Sequence, residues 1–202
     1  MRKLIGCFLL VASPLTWAGA QIYEPLSASV RAVMQKAVTD KASPRLAFSS
    51  EAEANAWLDE MSRRLGNRIP DAKARYDFLK TVHYEATRAG LDPQLVLGLI
   101  QVESHFKKYA VSKVGARGYM QVMPFWVKEI GVKEHNLFHL KTNLRYGCTI
   151  LRYYLGLENG DLYRALGRYN GSLGQPNYPN RVVREWITAW KYPVRGRQIS
   201  RT

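Results

Sequence analysis

The sequence predicts a mainly α-helical fold, and three observations carry that prediction. Helix-opening residues followed by apolar positions at three- and four-residue spacing recur along most of the chain. Strand-like pieces are short and confined to the stretch between Phe106 and Pro124. A length of 202 residues with 47% apolar content suits one compact domain with additions better than two full domains.

Residues 1–20, MRKLIGCFLLVASPLTWAGA, have the layout of a secretory signal peptide. Arg2 and Lys3 come first, then apolar Leu4 to Ala12, then the small residues Ala18-Gly19-Ala20. The exported chain is then expected to begin at Gln21. Leu4-Ile5-Gly6-Cys7 also resembles a lipobox, but six residues before Cys7 are too few and the apolar run continues past it, which favours ordinary cleavage. Residues 21–69 form a lead-in whose first part, 21–49, is expected to be partly helical. Ser50-Glu51-Ala52-Glu53 is a capping box ahead of ANAWLDEMSRRL, which Gly66 closes.

Residues 70–192 are expected to form the main domain. Pro70 opens a helix in which Tyr76, Leu79, His83 and Ala86 share a face until Gly90. Asp92 and Pro93 are an N-cap and first-turn residue for LVLGLIQVESHF, residues 95–106. KKYAVSKVGARGYMQVMP reads as a loop or small hairpin. Helices are expected over about 142–156, after Asp161, and from Pro179 to Trp190, with GSLGQPNYPN at 171–180 irregular. Residues 193–202 form a basic tail, expected to be loose.

The formal charge of +14 suits a polyanionic partner: nucleic acid, an anionic lipid surface or the acidic cell wall. Export argues against nucleic acid, and solubility alone is the plainer account of the charge. Beyond the leader, no apolar run is long enough to cross a bilayer. With Cys7 in the leader, Cys148 has no partner for an intramolecular disulfide. It shares a helical stripe with Leu144, Leu151 and Leu155, so it reads as a small buried apolar residue.

Glu103 is the first candidate for chemistry. Leu95, Val96, Leu97, Leu99, Ile100, Val102 and Phe106 surround nearly the whole helix, which marks it as buried. Glu103 shares a face with Val96, Leu99 and Ile100, and lost hydration there favours its neutral form. A carboxylic acid kept protonated near neutral pH is what a general acid requires. The plain alternative is an acid at a helix end that points into water or pairs with Lys107 or Lys108.

Glu103-Ser104 is followed by Gly118-Tyr119-Met120-Gln121, with Val122-Met123-Pro124 after it, and then by Arg168-Tyr169-Asn170. In this order and spacing the motifs resemble the SLT-type lytic transglycosylases. The resemblance covers roughly residues 75–190 and includes the linking pieces AVSKVGARG and NLRYGCTILRYYL. It implies a lysozyme-like, goose-type-like helical domain that cleaves the β-1,4 bond between N-acetylmuramic acid and N-acetylglucosamine in peptidoglycan. It also implies 1,6-anhydromuramic acid ends, no cofactor or metal, a periplasmic site of action at the cell wall, and peptidoglycan glycan strands as partner. An envelope or secretion-machinery protein is a further partner in view. The nearest rivals are a hydrolytic muramidase on the same fold and a wall-binding module that has lost catalysis. The departures are Tyr119 for the family's usual leucine, Arg168 for alanine, and Gly171 directly after Asn170.

By the same resemblance Glu103 is the acid and base. Ser104 orients it or caps the helix end, Gln121 offers amide hydrogen bonds to sugar groups, and Met120 is a cleft wall or core. Gly118 and Tyr119 complete that segment, and Tyr119 is large enough to reshape a subsite. Tyr169 and Asn170 are expected to face the cleft, with the phenol near the carboxyl, and Ser112 to shape a turn. Between residues 94 and 128 Glu103 is the sole acid, whereas most glycosidases use two. Glu129, Glu134, Glu158 and Asp161 read as helix surface or turn. His135 and His139 lack the companions of a zinc site, and Asn170-Gly171-Ser172 is a sequon by chance composition.

Overall fold

The computed structural model describes residues 21–40 and 46–192. The expected leader, 1–20, and tail, 193–202, lie outside the described residues. The helices are α1 (Ala28–Thr39), α2 (Glu51–Leu65), α3 (Ala72–Arg88), α4 (Pro93–Ser104), α5 (Phe125–Ile130), α6 (Leu140–Leu157), α7 (Leu162–Asn170) and α8 (Asn177–Glu185). A π-helical turn, Trp186–Trp190, continues α8. Among the described residues the only β pairing is two isolated bridges, Val111–Arg117 and Arg117–Val122. The mainly helical class is borne out.

The caps act where the sequence places them. Ser50 accepts from the Glu53 backbone N–H, Asp92 from that of Gln94 at 2.7 Å, and Asp161 from that of Arg164 at 3.0 Å, each satisfying a donor the helix cannot. Pro179 falls in the first turn of α8, where its missing N–H has no helical partner to lose.

α4 is the central helix. Leu97, Leu99 and Ile100 are fully buried, and α3, α8 and the π-helical turn pack around it. Gly98 lets the π-helical turn pack directly on the α4 backbone: a Cβ there would lie 2.9 Å from the Trp186 backbone nitrogen. Gln101 then bridges outward, donating from Nε2 to Glu185 and accepting the Trp190 indole N–H at 2.9 Å.

Three features differ from expectation or go beyond it. The partly helical lead-in is packed against the rest of the chain: α1 lies on α5 and α6 with Met34 and Val38 buried, which its sequence left open. Glu158, expected on a surface or turn, is buried at the end of α6 and ion-paired with Arg164 and Arg168. Glu85, which drew no notice in the sequence, is fully buried and pairs with Arg145 at 2.9 Å and Arg88 at 3.1 Å, tying α3 to α6. Removing one partner of so buried a pair costs about 3–5 kcal/mol, because the other charge stays desolvated. Cys148 is buried with its thiol pKa pushed up by burial, a core residue.

Candidate active site

α4 ends sharply just after Glu103. His105 and Phe106 both take positive φ, 51° and 63°, in the left-handed region where side chains crowd the backbone. The chain therefore turns away at once, leaving the carboxyl directed at α8 rather than continued into a helix. Glu103 Oε1 accepts a hydrogen bond from the Tyr178 hydroxyl. Its Oε2 is buried and has no hydrogen-bond partner among the described residues. Burial pushes the pKa up to about 7, opposed by the Tyr178 hydrogen bond and then by the positive charge of Arg181. Lys107 and Lys108 stay exposed, and neither holds the acid. The groups that act on the carboxyl are a phenol and a guanidinium; a second carboxylate is not among them.

The segment Gly118–Gln121 is fastened beside this acid by bonds from three directions. The Ser104 hydroxyl donates to the Tyr119 carbonyl at 2.7 Å, and the Tyr169 hydroxyl to the Met120 carbonyl at 2.7 Å. Asn143 of α6 accepts from the Met120 N–H and donates to the carbonyls of Arg117 and Leu137, all at 2.8 Å. Gly118, at φ 75°, lies so close to Asn143 and Leu137 that a Cβ would come within 2.6 Å of the Leu137 carbonyl oxygen.

Each residue singled out in the sequence has a definite place. Ser104 holds the neighbouring loop rather than the Glu103 carboxyl. Gln121 is turned inward: its Nε2 donates to the carbonyls of Ala110 at 3.1 Å and Gly118 at 2.9 Å, closing the loop on itself. Met120 is fully buried against Gly147 of α6, and Tyr119 lies on the Phe78 ring at 5.0 Å between centroids. Ser112 accepts from the Ala116 N–H at 3.0 Å and shapes that turn. Asn170 is buried at the end of α7. Tyr169 is fully buried and within electrostatic reach of Glu103, which helps raise its pKa, but its hydrogen bond goes to Met120. The phenol bonded to the carboxyl is Tyr178 instead. His135 Nδ1 meets the Tyr146 hydroxyl at 2.7 Å.

Tyr178, Asn143 and Arg181 were missed because their contacts are tertiary. Asn143 alone carried a local signal, a polar residue on the buried side of a predicted helix.

The model of the transglycosylase SLT domain family matches residues 80–185. A transglycosylase of Enterobacteria phage PRD1 is 35% identical over 112 residues, 52% of this chain and 41% of that protein. A membrane-bound lytic murein transglycosylase C of Actinobacillus pleuropneumoniae serotype 5b (strain L20) is 46% identical over 54 residues, 27% of this chain and 14% of its own length. The solved structure of an inactive mutant of the lytic transglycosylase Slt from Pseudomonas aeruginosa is similar over 70% of this chain and 24% of its own, with 25% identity and a TM-score of 0.43. The chain spans less than half the length of each of these relatives.

Proposed function

The chain belongs to the transglycosylase SLT domain family, and from that premise we propose that it is a peptidoglycan lytic transglycosylase with Glu103 as acid and base. The observation that carries this is the carboxyl of the half-buried Glu103 at the end of α4, with one oxygen held by Tyr178 and the other, itself buried, without a hydrogen-bond partner among the described residues. With a pKa pushed up to about 7, a substantial share of such groups still carries the proton near neutral pH and can donate it from the free oxygen.

Glu103 first gives its proton to the glycosidic oxygen between N-acetylmuramic acid and N-acetylglucosamine as that bond breaks. The substrate's acetamido carbonyl stabilises the resulting cationic sugar. The ionised Glu103 then takes the proton of the muramyl 6-hydroxyl, whose oxygen closes onto the anomeric carbon to give the 1,6-anhydro end. One acid suffices because the substrate supplies the second group, as in other substrate-assisted glycosidic cleavage. Tyr178 and Arg181 favour the ionised form needed for the second step. The loop at Gly118–Gln121 fixes the wall beside the acid. The basic surface favours the anionic cell wall, in keeping with action in the periplasm after export.

Purified sacculi are incubated with the protein and with Glu103→Gln, and the soluble muropeptides are analysed by mass spectrometry. Anhydromuramyl products are expected from the parent and a drop of about 10²–10⁴-fold in the variant. Reducing-end products lost in the variant would instead make the protein a hydrolytic muramidase. Binding to sacculi without release from either would make it a wall-binding module.

A further inference from the structure

Gln21 lies well outside the family-matched residues 80–185, yet its side chain is inserted against the loop just described. It is 4% exposed. Its Nε2 donates to the Gln121 carbonyl at 3.2 Å, and its Oε1 accepts from the Met123 N–H at 3.0 Å and the Trp126 indole N–H at 3.1 Å. It also lies close enough to Tyr169, whose hydroxyl holds Met120, to act on that phenol. The residues that follow form a strap. Tyr23 meets the Phe125 ring edge-on at 5.5 Å, Glu24 pairs with Arg168 at 3.1 Å, and Leu26 is buried.

The other anchors divide the loop unevenly. Ser104, Tyr169 and Asn143 hold Tyr119 and Met120. The Gln121–Met123 half is tied within the loop to Arg117, Gly118 and Ala110, and from beyond the loop Gln21 adds bonds to Gln121 and Met123. Deleting that amide strands a carbonyl and two N–H donors at a largely buried place, and the loop must shift or admit water to satisfy them. Either response reaches Glu103, because the same loop is tied to Ser104 beside it and to Tyr169 within its electrostatic reach.

We propose that Gln21 is a positioning residue of the active site, its amide fixing the Gln121–Met123 half of the loop so that the strap from Gln21 to Leu26 belongs to the catalytic unit. The role in catalysis rests on the lytic reading above, and the role in shielding Glu103 does not.

The test uses the exported chain from Gln21 on with Gln21→Ala, Gln21→Glu and, as control, Ile22→Ser at a neighbour that is 61% exposed. Two readouts are taken: the Glu103 carboxyl carbon titrated by NMR, and muropeptide release per folded molecule. Tyr178 and Arg181 from α8 and Tyr169 from α7 face this carboxyl and are unchanged throughout. In Gln21→Ala the Glu103 titration is expected to move down by about one unit as water gains access. Release falls about ten- to a hundredfold. Gln21→Glu keeps the acceptor for Met123 and Trp126 and falls between, and it serves the same comparison should the alanine variant not fold. Ile22→Ser matches the parent. Titration and release both unchanged in the Gln21 variants would overturn the proposal. A parent that releases nothing, with the Glu103 titration still moved by Gln21→Ala, would overturn the lytic reading and leave the positioning role standing.

Discussion

Glu103 stands between opposing influences. Burial favours its neutral form, while the Tyr178 hydroxyl and the Arg181 charge favour the ionised form, and the balance falls at about 7. Tyr178→Phe removes the hydrogen bond that selectively stabilises the carboxylate, so the acid should hold its proton to higher pH. A hydrogen bond to a charged group is worth about 1.5–3 kcal/mol, or about one to two pKa units. The alkaline limb of the kcat/KM profile should therefore move up by about one unit, while the plateau rate falls because the weaker acid gives up its proton less readily. A limb that stays in place would show that the phenol does not act on the carboxylate. Glu103 was legible as a candidate because apolar residues surround it on a single helix. The phenol was not, since Tyr178 arrives from 75 residues away, in a stretch that reads as irregular.

The helices were legible where a local device marks them, as Ser50, Asp92 and Asp161 do. α5 escaped notice because six residues leave no room for a periodic pattern, whereas Trp186–Trp190 falls in the helix expected to end at Trp190 and only its π form was unforeseen, since that answers to packing on α4. The inward turn of Gln121 likewise depends on carbonyls that only the folded loop brings together. Glycines separate the two kinds of information. Gly98 and Gly156 both sit inside helices, and propensity alone predicts that alanine stabilises each by about 0.5–1 kcal/mol. Gly156 has nothing within reach of a Cβ, so Gly156→Ala should gain about that amount. At Gly98 the obstacle is backbone, 2.9 Å from the Trp186 nitrogen, which no rotamer change relieves. Overpacking of this kind costs about 1–3 kcal/mol, which exceeds the propensity gain, so Gly98→Ala should be destabilising. Urea unfolding of the two variants checks the opposite signs.

At the scale of the whole molecule, two buried groups pull stability in opposite directions between pH 4.5 and 7. His83, stacked on Phe48 at 4.3 Å between ring centroids, has its pKa lowered by burial to about 4. The unfolded chain binds that proton first as pH falls below about 6.5, so His83 withdraws stability on the acid side. His135, also lowered by burial, acts with the same sign. Glu103 does the reverse. Its folded pKa lies above that of the unfolded chain, so no penalty exists below about 4.5, and the penalty grows as pH rises through 7. The favourable ion pairs of Glu60 and Glu158 lower those carboxyls, and their contribution is lost only as pH falls below about 4.5, outside this window. The parent's stability should therefore change less from pH 7 to pH 5 than the Glu103 or the histidine contributions alone would dictate, because they oppose each other. Glu103→Gln removes one of them. Its stability relative to the parent should be greater at pH 8 than at pH 4.5 by about 3 kcal/mol, the equivalent of the Glu103 shift. Its own stability should decline steadily below pH 6.5 as His83 and His135 act unopposed. Urea unfolding of both proteins at pH 4.5, 6 and 8 measures the difference. An equal difference at all three values would mean that folding does not desolvate the acid, and the requirement for a proton held near neutrality would fail with it.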